Sequence, residues 1–196
     1  MKCGLVLLAA GASQRMGQPK QLMNYRGKTL LRHAVDTALA ARVDRVIVVL
    51  GANVDAIRAA LSNGVFADAV EIVHNARWEE GVGTSIHAGV RRAGELQLDA
   101  VILALGDQPL VTAEIYNRLI AEHEATGKPI VTSEYAGTVG VPVLFSEQYF
   151  PNLLALQPDQ GCKGVILKHN DNALRIACPE AEVDIDTPGD FQKLEA

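Results

Sequence analysis

Two stretches of this chain carry side chains suited to chemistry on phosphates. The first is Leu8-Ala9-Ala10-Gly11-Ala12-Ser13-Gln14-Arg15-Met16-Gly17-Gln18-Pro19-Lys20, which closes an apolar run. Ala9, Ala10, Gly11 and Ala12 have almost no side-chain bulk, so a ligand could approach the backbone and its amides could cradle phosphate oxygens. Arg15 adds a forked, permanent cation and Lys20 a mobile point charge. The plainer alternative is turn chemistry beside two solvated cations. The loop is neither GxxxxGK[ST] nor GxGxxG, so it carries neither a P-loop nor a dinucleotide fingerprint.

The second set is acidic. Asp107 stands in Gly106-Asp107-Gln108-Pro109, directly after another apolar run, and Asp184, Asp186 and Asp190 follow near the C-terminus. Mg²⁺ takes an octahedral oxygen shell from one or two carboxylates, substrate phosphates and water, a task that suits Asp107. Asp107 could equally serve the turn or cap a helix beginning near Thr112. Strand alternation over Val183 to Ile185 puts Asp184 and Asp186 on one face, with Asp186 at the strand end. Asp186 could instead cap a closing helix in which Pro188 takes an early position. His33, His74, His87, His123 and His169 show no HxxxH spacing, and no Ser-His-Asp set is readable.

These residues need a scaffold, and the hydrophobic pattern predicts one. Short apolar runs at Gly4 to Ala10, Arg45 to Leu50, Val70 to His74 and Ala100 to Leu105 read as buried strands. Between them, helical spacing appears over Thr29 to Ala41, over Val54 to Leu61 with Asn53 as N-cap, and over Thr84 to Ala93. Ala113 to Ala125 is a further helix. Such alternation predicts βαβ units and a parallel sheet covered on both faces. After Pro129 the rhythm changes: strands at Ile130 to Thr132 and Gly140 to Phe145 flank a turn at Gly137. Helical stretches at Ser146 to Leu156 and Cys162 to Lys168, short strands at Ala173 to Ala177 and Val183 to Ile185, and a helix after Pro188 complete the chain. The expected fold is a single-domain, Rossmann-like α/β protein: a three-layer αβα sandwich with a mostly parallel sheet and a modified C-terminal third. In such sheets ligands bind at the carboxyl ends of the strands, where both the first loop and Asp107 fall.

Composition narrows the partners. With 18 basic and 23 acidic residues the net charge is −5, and no run of Lys and Arg forms a nucleic-acid footprint. An anionic ligand must then be met by local donors or a metal rather than by the whole surface. The three cysteines, Cys3, Cys162 and Cys178, are scattered and read as reduced thiols. Met1-Lys2 leads into an apolar run too short for a signal or membrane segment, so a cytoplasmic protein with no membrane partner is expected.

The stretch from Leu8 to Lys20 resembles the LAAGxSxRMGxxK signature of the MobA-like nucleotidyltransferase superfamily, and most closely its molybdenum cofactor cytidylyltransferase branch. Gly106-Asp107-Gln108-Pro109 and the late Asp184-Ile185-Asp186-Thr187-Pro188-Gly189-Asp190 match the same family in order. Asn75-Ala76-Arg77-Trp78-Glu79-Glu80-Gly81-Val82-Gly83-Thr84-Ser85 resembles its NxxWxxGxxxS segment beside the base. Gly140-Val141-Pro142-Val143-Leu144-Phe145 resembles GHPVLF, with Val141 where His is usual. Asp159 to Gly164 resembles GDxGxR, with Lys163 for the Arg.

The resemblance implies that Ala9, Ala10, Gly11 and Ala12 wrap the nucleotide, that Arg15 and Lys20 neutralise its phosphates, and that Gly81 and Ser85 meet the base. It implies Mg²⁺ on Asp107 and Asp186 and Lys163 facing the acceptor phosphate, where the plainer reading is a solvated loop lysine; by residue type Asp184 and Asp190 read as structural, Thr84 as capping and Trp78 as a packing anchor. Residues 1–128 would form the nucleotide half and 129–196 the acceptor side. The implied reaction moves CMP from CTP to the terminal phosphate of molybdopterin, releasing pyrophosphate, with a molybdoenzyme or its chaperone receiving the product. Guanylyl transfer, another phosphorylated acceptor, or a non-catalytic protein that binds and delivers nucleotide or cofactor are the alternatives.

Overall fold

A computed structural model describes residues 1–62 and 70–195. Four apolar segments form parallel strands β1 (Cys3–Ala9), β4 (Arg45–Leu50), β5 (Val70–His74) and β6 (Ala100–Leu105), joined by α1 (Leu30–Leu39), α2 (Val54–Ser62) and α3 (Val82–Glu95). Between β1 and α1 lies a small hairpin, β2 (Asn24–Tyr25) and β3 (Lys28–Thr29), that the hydrophobic pattern does not reveal. Beyond β6 come α4 (Ala113–Thr126), β7 (Ile130–Tyr135), β8 (Thr138–Ser146), α5 (Phe150–Leu154), α6 (Lys163–Lys168), β9 (Ala173–Ala177) and α7 (Pro188–Glu195). The sheet has seven strands in the order β5-β4-β1-β6-β8-β7-β9. Only β8 runs against its neighbours, being antiparallel to both β6 and β7.

Alternation along each central strand builds two cores. Leu5, Leu7, Val48, Leu50 and Ile102 point toward α1, α2 and α4, where Val35, Ile57 and Leu119 meet them. Val6, Leu8, Ile47, Val49 and Leu103 point the other way, onto Ile86 and Val90 of α3, Leu153 of α5 and Ile166 of α6. A strand flanked by helices on both faces has no polar side, which is why these segments read as continuous apolar runs. The chain steps outward from β1 through β4 to β5, then returns past β1 to β6. Right-handed crossovers require the returning helix, α3, to lie on the face opposite α1 and α2, as it does. The reversal leaves a crevice between the ends of β1 and β6.

Local signals explain most boundaries. Thr29 caps α1 by accepting from the Arg32 amide at 3.2 Å. The hairpin of β7 and β8 turns on Ala136 and Gly137, both at positive φ (48° and 71°), the geometry that matches strand twist. Asn53, expected to cap α2, also has positive φ (54°), and its carbonyl accepts from the Ile57 amide.

Two expectations need correction. α3 starts at Val82, two residues before the predicted Thr84, with Gly81 as its N-cap and no capping side chain. Val183 to Ile185 forms no strand: the Ile185 amide donates to the Asp107 carbonyl at 3.1 Å instead of joining a ladder. Its side chain is fully buried against Met16, Tyr25 and Leu30.

Two glycines of α3 should respond oppositely to alanine. A Cβ at Gly89 would overlap Val6 Cγ1 in β1, whereas one at Gly94 has nothing within 4 Å. We expect Gly89→Ala to destabilise the fold by about 1–3 kcal/mol through overpacking. Gly94→Ala should stabilise it by up to about 1 kcal/mol through helix propensity. Urea denaturation of both variants reads the signs directly.

Candidate active site

The loop after β1 is shaped by side chains rather than by regular structure. Ser13 adopts left-handed backbone (φ 57°), a single 3₁₀ turn spans Gln14–Met16, and Gly17 (φ 70°) ends it. Met16 anchors that turn in the cluster that holds Ile185. Pro19 then leads into a second 3₁₀ turn, Lys20–Leu22. The buried Gln21 reaches back under the loop, donating from Nε2 to the carbonyls of Ala9 (3.0 Å) and Gly11 (2.9 Å). The Ala10 carbonyl accepts from the Ala52 amide at 3.0 Å, and Ser13 Oγ accepts from the Lys20 amide at 3.1 Å. With three successive carbonyls already engaged, the loop offers an approaching anion its donor side.

Lys20 is the meeting point of the site. Its ammonium forms a short ion pair with Asp107 and contacts Asp186 Oδ1 at 2.9 Å; Arg15 Nη2 meets the other oxygen of Asp186 at 2.6 Å. Lys20 and Asp107 side chains are each only 15% exposed, whereas Arg15 is 69% exposed. Burial pushes the Asp107 carboxyl above its ordinary range, against the pull of Lys20. Hydrogen bonding to Lys20, helped by Arg15, holds the more exposed Asp186 below that range. Burial works against the Lys20 charge, but the two carboxylates together raise its pKa.

Asp186 reaches this position because Asp190, not Asp186, serves the closing helix. Thr187 caps α7 and Asp190 answers it: the Thr187 amide donates to Asp190 Oδ2 at 2.8 Å, and the Asp190 amide donates to Thr187 Oγ1 at 3.3 Å. Gln108 tethers the preceding turn by donating to the Ala181 carbonyl at 2.7 Å. These bonds, with buried Ile185, lay the C-terminal segment across the end of β6.

Two adjoining pockets share Gly11, Lys20 and Trp78. One, about 220 Å³, is walled by Ala9, Ala10 and Gly11 on one side and by Gly81 and Ser85 on the other, with Asp107 at its end. The other, about 480 Å³, is lined by Ala12, Arg15 and Asp186. The structure thus brings together Ala9, Ala10, Gly11, Ala12, Arg15, Lys20, Gly81, Ser85, Asp107 and Asp186. It leaves Lys163 apart: that residue opens α6 and lines a separate pocket with Lys168 and His169. Val141, in β8, packs on the second core.

Gly81 does more than border the pocket. At φ 129°, it packs so closely on the Pro158 carbonyl that a Cβ would collide with it, and Gly83 meets the Gln157 carbonyl in the same way. Thr84 does not cap; its hydroxyl lies within 2.8 Å of the Gly81 carbonyl and 2.9 Å of that of Arg77. Trp78 Cβ lies 2.5 Å from where a Cβ on Gly51 would stand, which fixes the indole as a wall between the pockets.

Two residues escaped the sequence reading. Gln21 looked like an ordinary neighbour of Lys20, yet it sets the loop geometry. Asn75 is buried and donates from Nδ2 to Thr84 Oγ1 (2.8 Å) and Ser85 Oγ (3.0 Å). Its place at the head of the NxxWxxGxxxS stretch was the available signal.

The carboxylates can be tested for a divalent cation. Asp107 Oδ1 is buried with no hydrogen-bond partner, an expensive state for a carboxylate oxygen, while its other oxygen shares a cation with Asp186. Among the described residues no group of three or more His, Cys, Asp or Glu is gathered for a metal. Two carboxylates completed by ligand oxygens and water suit Mg²⁺ or Mn²⁺ rather than zinc. The residues fit such an ion.

Residues 5–173 match the MobA-like NTP transferase domain. The chain belongs to this family. It is 30% identical to the purine catabolism protein PucB of Bacillus subtilis, across 96% of this chain and 94% of that one. It is 26% identical to the molybdenum cofactor cytidylyltransferase of Escherichia coli, across 95% and 92%. A shorter match, 39% identical, covers 60% of this chain and 55% of the nicotine blue oxidoreductase of Paenarthrobacter nicotinovorans. Among solved structures, Rv0371c of Mycobacterium tuberculosis in complex with manganese superposes with a TM-score of 0.79 at 30% identity, covering 99% and 98% of the two chains. The sandwich fold and the superfamily expected from the sequence both hold, and the chain is a nucleotidyltransferase by family. Among the described residues no helix is long and apolar enough to cross a membrane.

Lys20 stands between the carboxylates that fit a metal, so cation and ammonium must compete. We expect Lys20→Met to raise Mn²⁺ affinity of the nucleotide-free protein by roughly tenfold, equivalent to about 1.4 kcal/mol. It should also weaken nucleotide binding. Paramagnetic resonance of free Mn²⁺ checks this; an unchanged or weaker affinity would show that Lys20 does not guard the site.

Proposed function

We propose that this chain transfers CMP from CTP to the terminal phosphate of molybdopterin, forming molybdopterin cytosine dinucleotide and releasing pyrophosphate. The observation that carries the reading is the convergence of Lys20, Asp107 and Asp186, from three distant parts of the chain, beside the donor face of the β1 loop. Support for the acceptor and nucleotide comes from the similarity to the Escherichia coli cytidylyltransferase and from the Leu8-Ala9-Ala10-Gly11 form of the loop.

In this reading the base and ribose occupy the pocket between Gly11 and Ser85, and the triphosphate runs into the one lined by Ala12 and Arg15. Arg15 and Lys20 exchange their carboxylate partners for phosphate oxygens. That exchange uncovers Asp107 and Asp186, which would hold Mg²⁺. The ion would supply charge neutralisation on the triphosphate and on the leaving pyrophosphate. An oxygen of the acceptor phosphate forms a bond to the α-phosphorus as the bond from that phosphorus to the bridging oxygen breaks, and both electrons leave with pyrophosphate. The attacking phosphate is already ionised near neutral pH, so no side chain has to remove a proton. The protein's work is to position two anions and offset their repulsion.

A parallel assay of pyrophosphate release with Mg²⁺, molybdopterin and CTP, GTP, ATP or UTP tests this. Turnover should be fastest with CTP, and Asp107→Ala should lower it by at least about a hundredfold while far-UV circular dichroism is unchanged. Preference for another nucleotide would reassign the base. Silence with all four would overturn molybdopterin as acceptor and leave another phosphorylated acceptor, a delivery protein, or the oxidoreduction named for the Paenarthrobacter relative.

A further inference from the structure

Trp78 is the only tryptophan of the chain, and it does not sit where a packing residue would. It lines both pockets of the candidate active site and is the only aromatic residue in either. Its side chain is used in two parts. Cβ and Cγ press on Gly51, just past β4, where an added Cβ would stand 2.5 and 2.6 Å from them. The residue as a whole stays half-buried, and its indole N–H donates to no acceptor among the described residues. Nor is that nitrogen sealed in: the unpartnered buried side-chain polar atoms belong to His87, Asp107, Gln108 and Ser146. The backbone beneath is tied on both sides. The Arg77 amide donates to Asn75 Oδ1 at 3.0 Å, and the Gly81 amide donates to the Trp78 carbonyl at 3.2 Å. The indole is anchored at its root and open at its rim.

Three residues are common to both pockets, and only one offers a ligand an apolar surface. Gly11 has no side chain, and its carbonyl accepts from Gln21; the Lys20 ammonium is held by Asp107 and Asp186. Trp78 remains, a flat ring where the pocket of Gly81 and Ser85 meets that of Arg15 and Asp186. A ligand that fills both must cross this junction. A nucleoside triphosphate has the matching order of base, sugar and phosphates. The part that crosses carries C–H and ring surface, which gains by covering an exposed indole. Stacking of this kind is tolerant of base identity, since every base has a π-face.

We propose that the Trp78 ring is a direct ligand contact, covering the sugar and the adjoining edge of the base where the nucleotide passes from one pocket into the other. It thereby favours a ligand that spans both pockets over one that fills either alone. This contact rests on the nucleotide binding of the proposed function, and not on CTP or molybdopterin.

Because Trp78 is the sole tryptophan, its emission in the full-length wild-type protein reports on this ring directly. With Mg²⁺ and no acceptor, calorimetry identifies the tightest binder among CTP, GTP, ATP and UTP. Acrylamide quenching is then measured with and without that nucleotide at saturation. Bound nucleotide should lower the quenching constant by about half or more, as expected when one face of the ring is covered. Saturating tripolyphosphate, which has neither sugar nor base, should protect the ring clearly less. Trp78→Ala should weaken nucleotide binding by roughly tenfold, the size of one stacking contact. Trp78→Phe keeps a flat ring on the same root and should restore affinity to within about threefold of wild type. Unchanged quenching under bound nucleotide would overturn the proposal whether or not the variants fold. So would equal protection by tripolyphosphate, or wild-type affinity in Trp78→Ala. Turnover without protection would overturn this contact alone, protection without turnover on molybdopterin would overturn only the proposed acceptor, and a protein that binds none of the four nucleotides would overturn both.

Discussion

The candidate active site is arranged around one largely enclosed ammonium shared by two carboxylates. Lys20 touches Asp107 and Asp186, and each of the three would be costly to bury alone. Pairing makes the burial tolerable, but it does not satisfy the site: Asp107 Oδ1 still lacks a partner. A fully compensated cluster would be inert, with every charge locked. With Arg15 on Asp186 it is balanced in charge, yet it is incomplete in hydrogen bonding, the state from which a polyanion and a divalent cation can displace the internal partners.

The fold exists, from the site's point of view, to bring those three residues together. Lys20 follows β1, Asp107 follows β6, and Asp186 lies 166 residues beyond Lys20 in sequence. The first two are neighbours because β1 and β6 are adjacent strands whose connections lead away in opposite directions. The third arrives by a different device. The segment before α7 joins no sheet, and is held instead by the Ile185 amide on the Asp107 carbonyl, by Gln108 on Ala181, and by burial of Ile185. A capping box of Thr187 and Asp190 relieves Asp186 of any duty to the helix.

The same division between rigid scaffold and side-chain tether recurs around the loop. Small residues permit a close ligand approach, but Gln21 decides which backbone groups remain on offer by engaging the Ala9 and Gly11 carbonyls. Across the pocket, Asn75 and the close contact of Gly81 and Gly83 with the Gln157–Pro158 backbone fix the start of α3. A negatively charged protein thus presents a donor-rich face to an anion, through local arrangement and against its net charge.

The sequence alone determined the layers, most element positions and the residue types of the site. Those follow from local properties: a strand buried on both faces must be apolar throughout, a helix between two such strands must be amphipathic, and a phosphate site needs small residues, cations and carboxylates. Ala9, Ala10, Gly11, Ala12, Arg15, Lys20 and Asp107 could be picked out because each follows an apolar run whose end must face one crevice. Tertiary structure decided what local pattern cannot encode. Whether Asp186 stayed free of the α7 cap to meet Lys20, whether Val183 to Ile185 paired as a strand, and whether Lys163 joined the main site all turned on partners far away in sequence. So did the roles of Gln21 and Asn75, ordinary polar residues in the sequence whose meaning lies in which buried atoms they meet. Hydrophobic periodicity is a property of neighbours along the chain, whereas the satisfaction of a buried polar group belongs to the folded molecule.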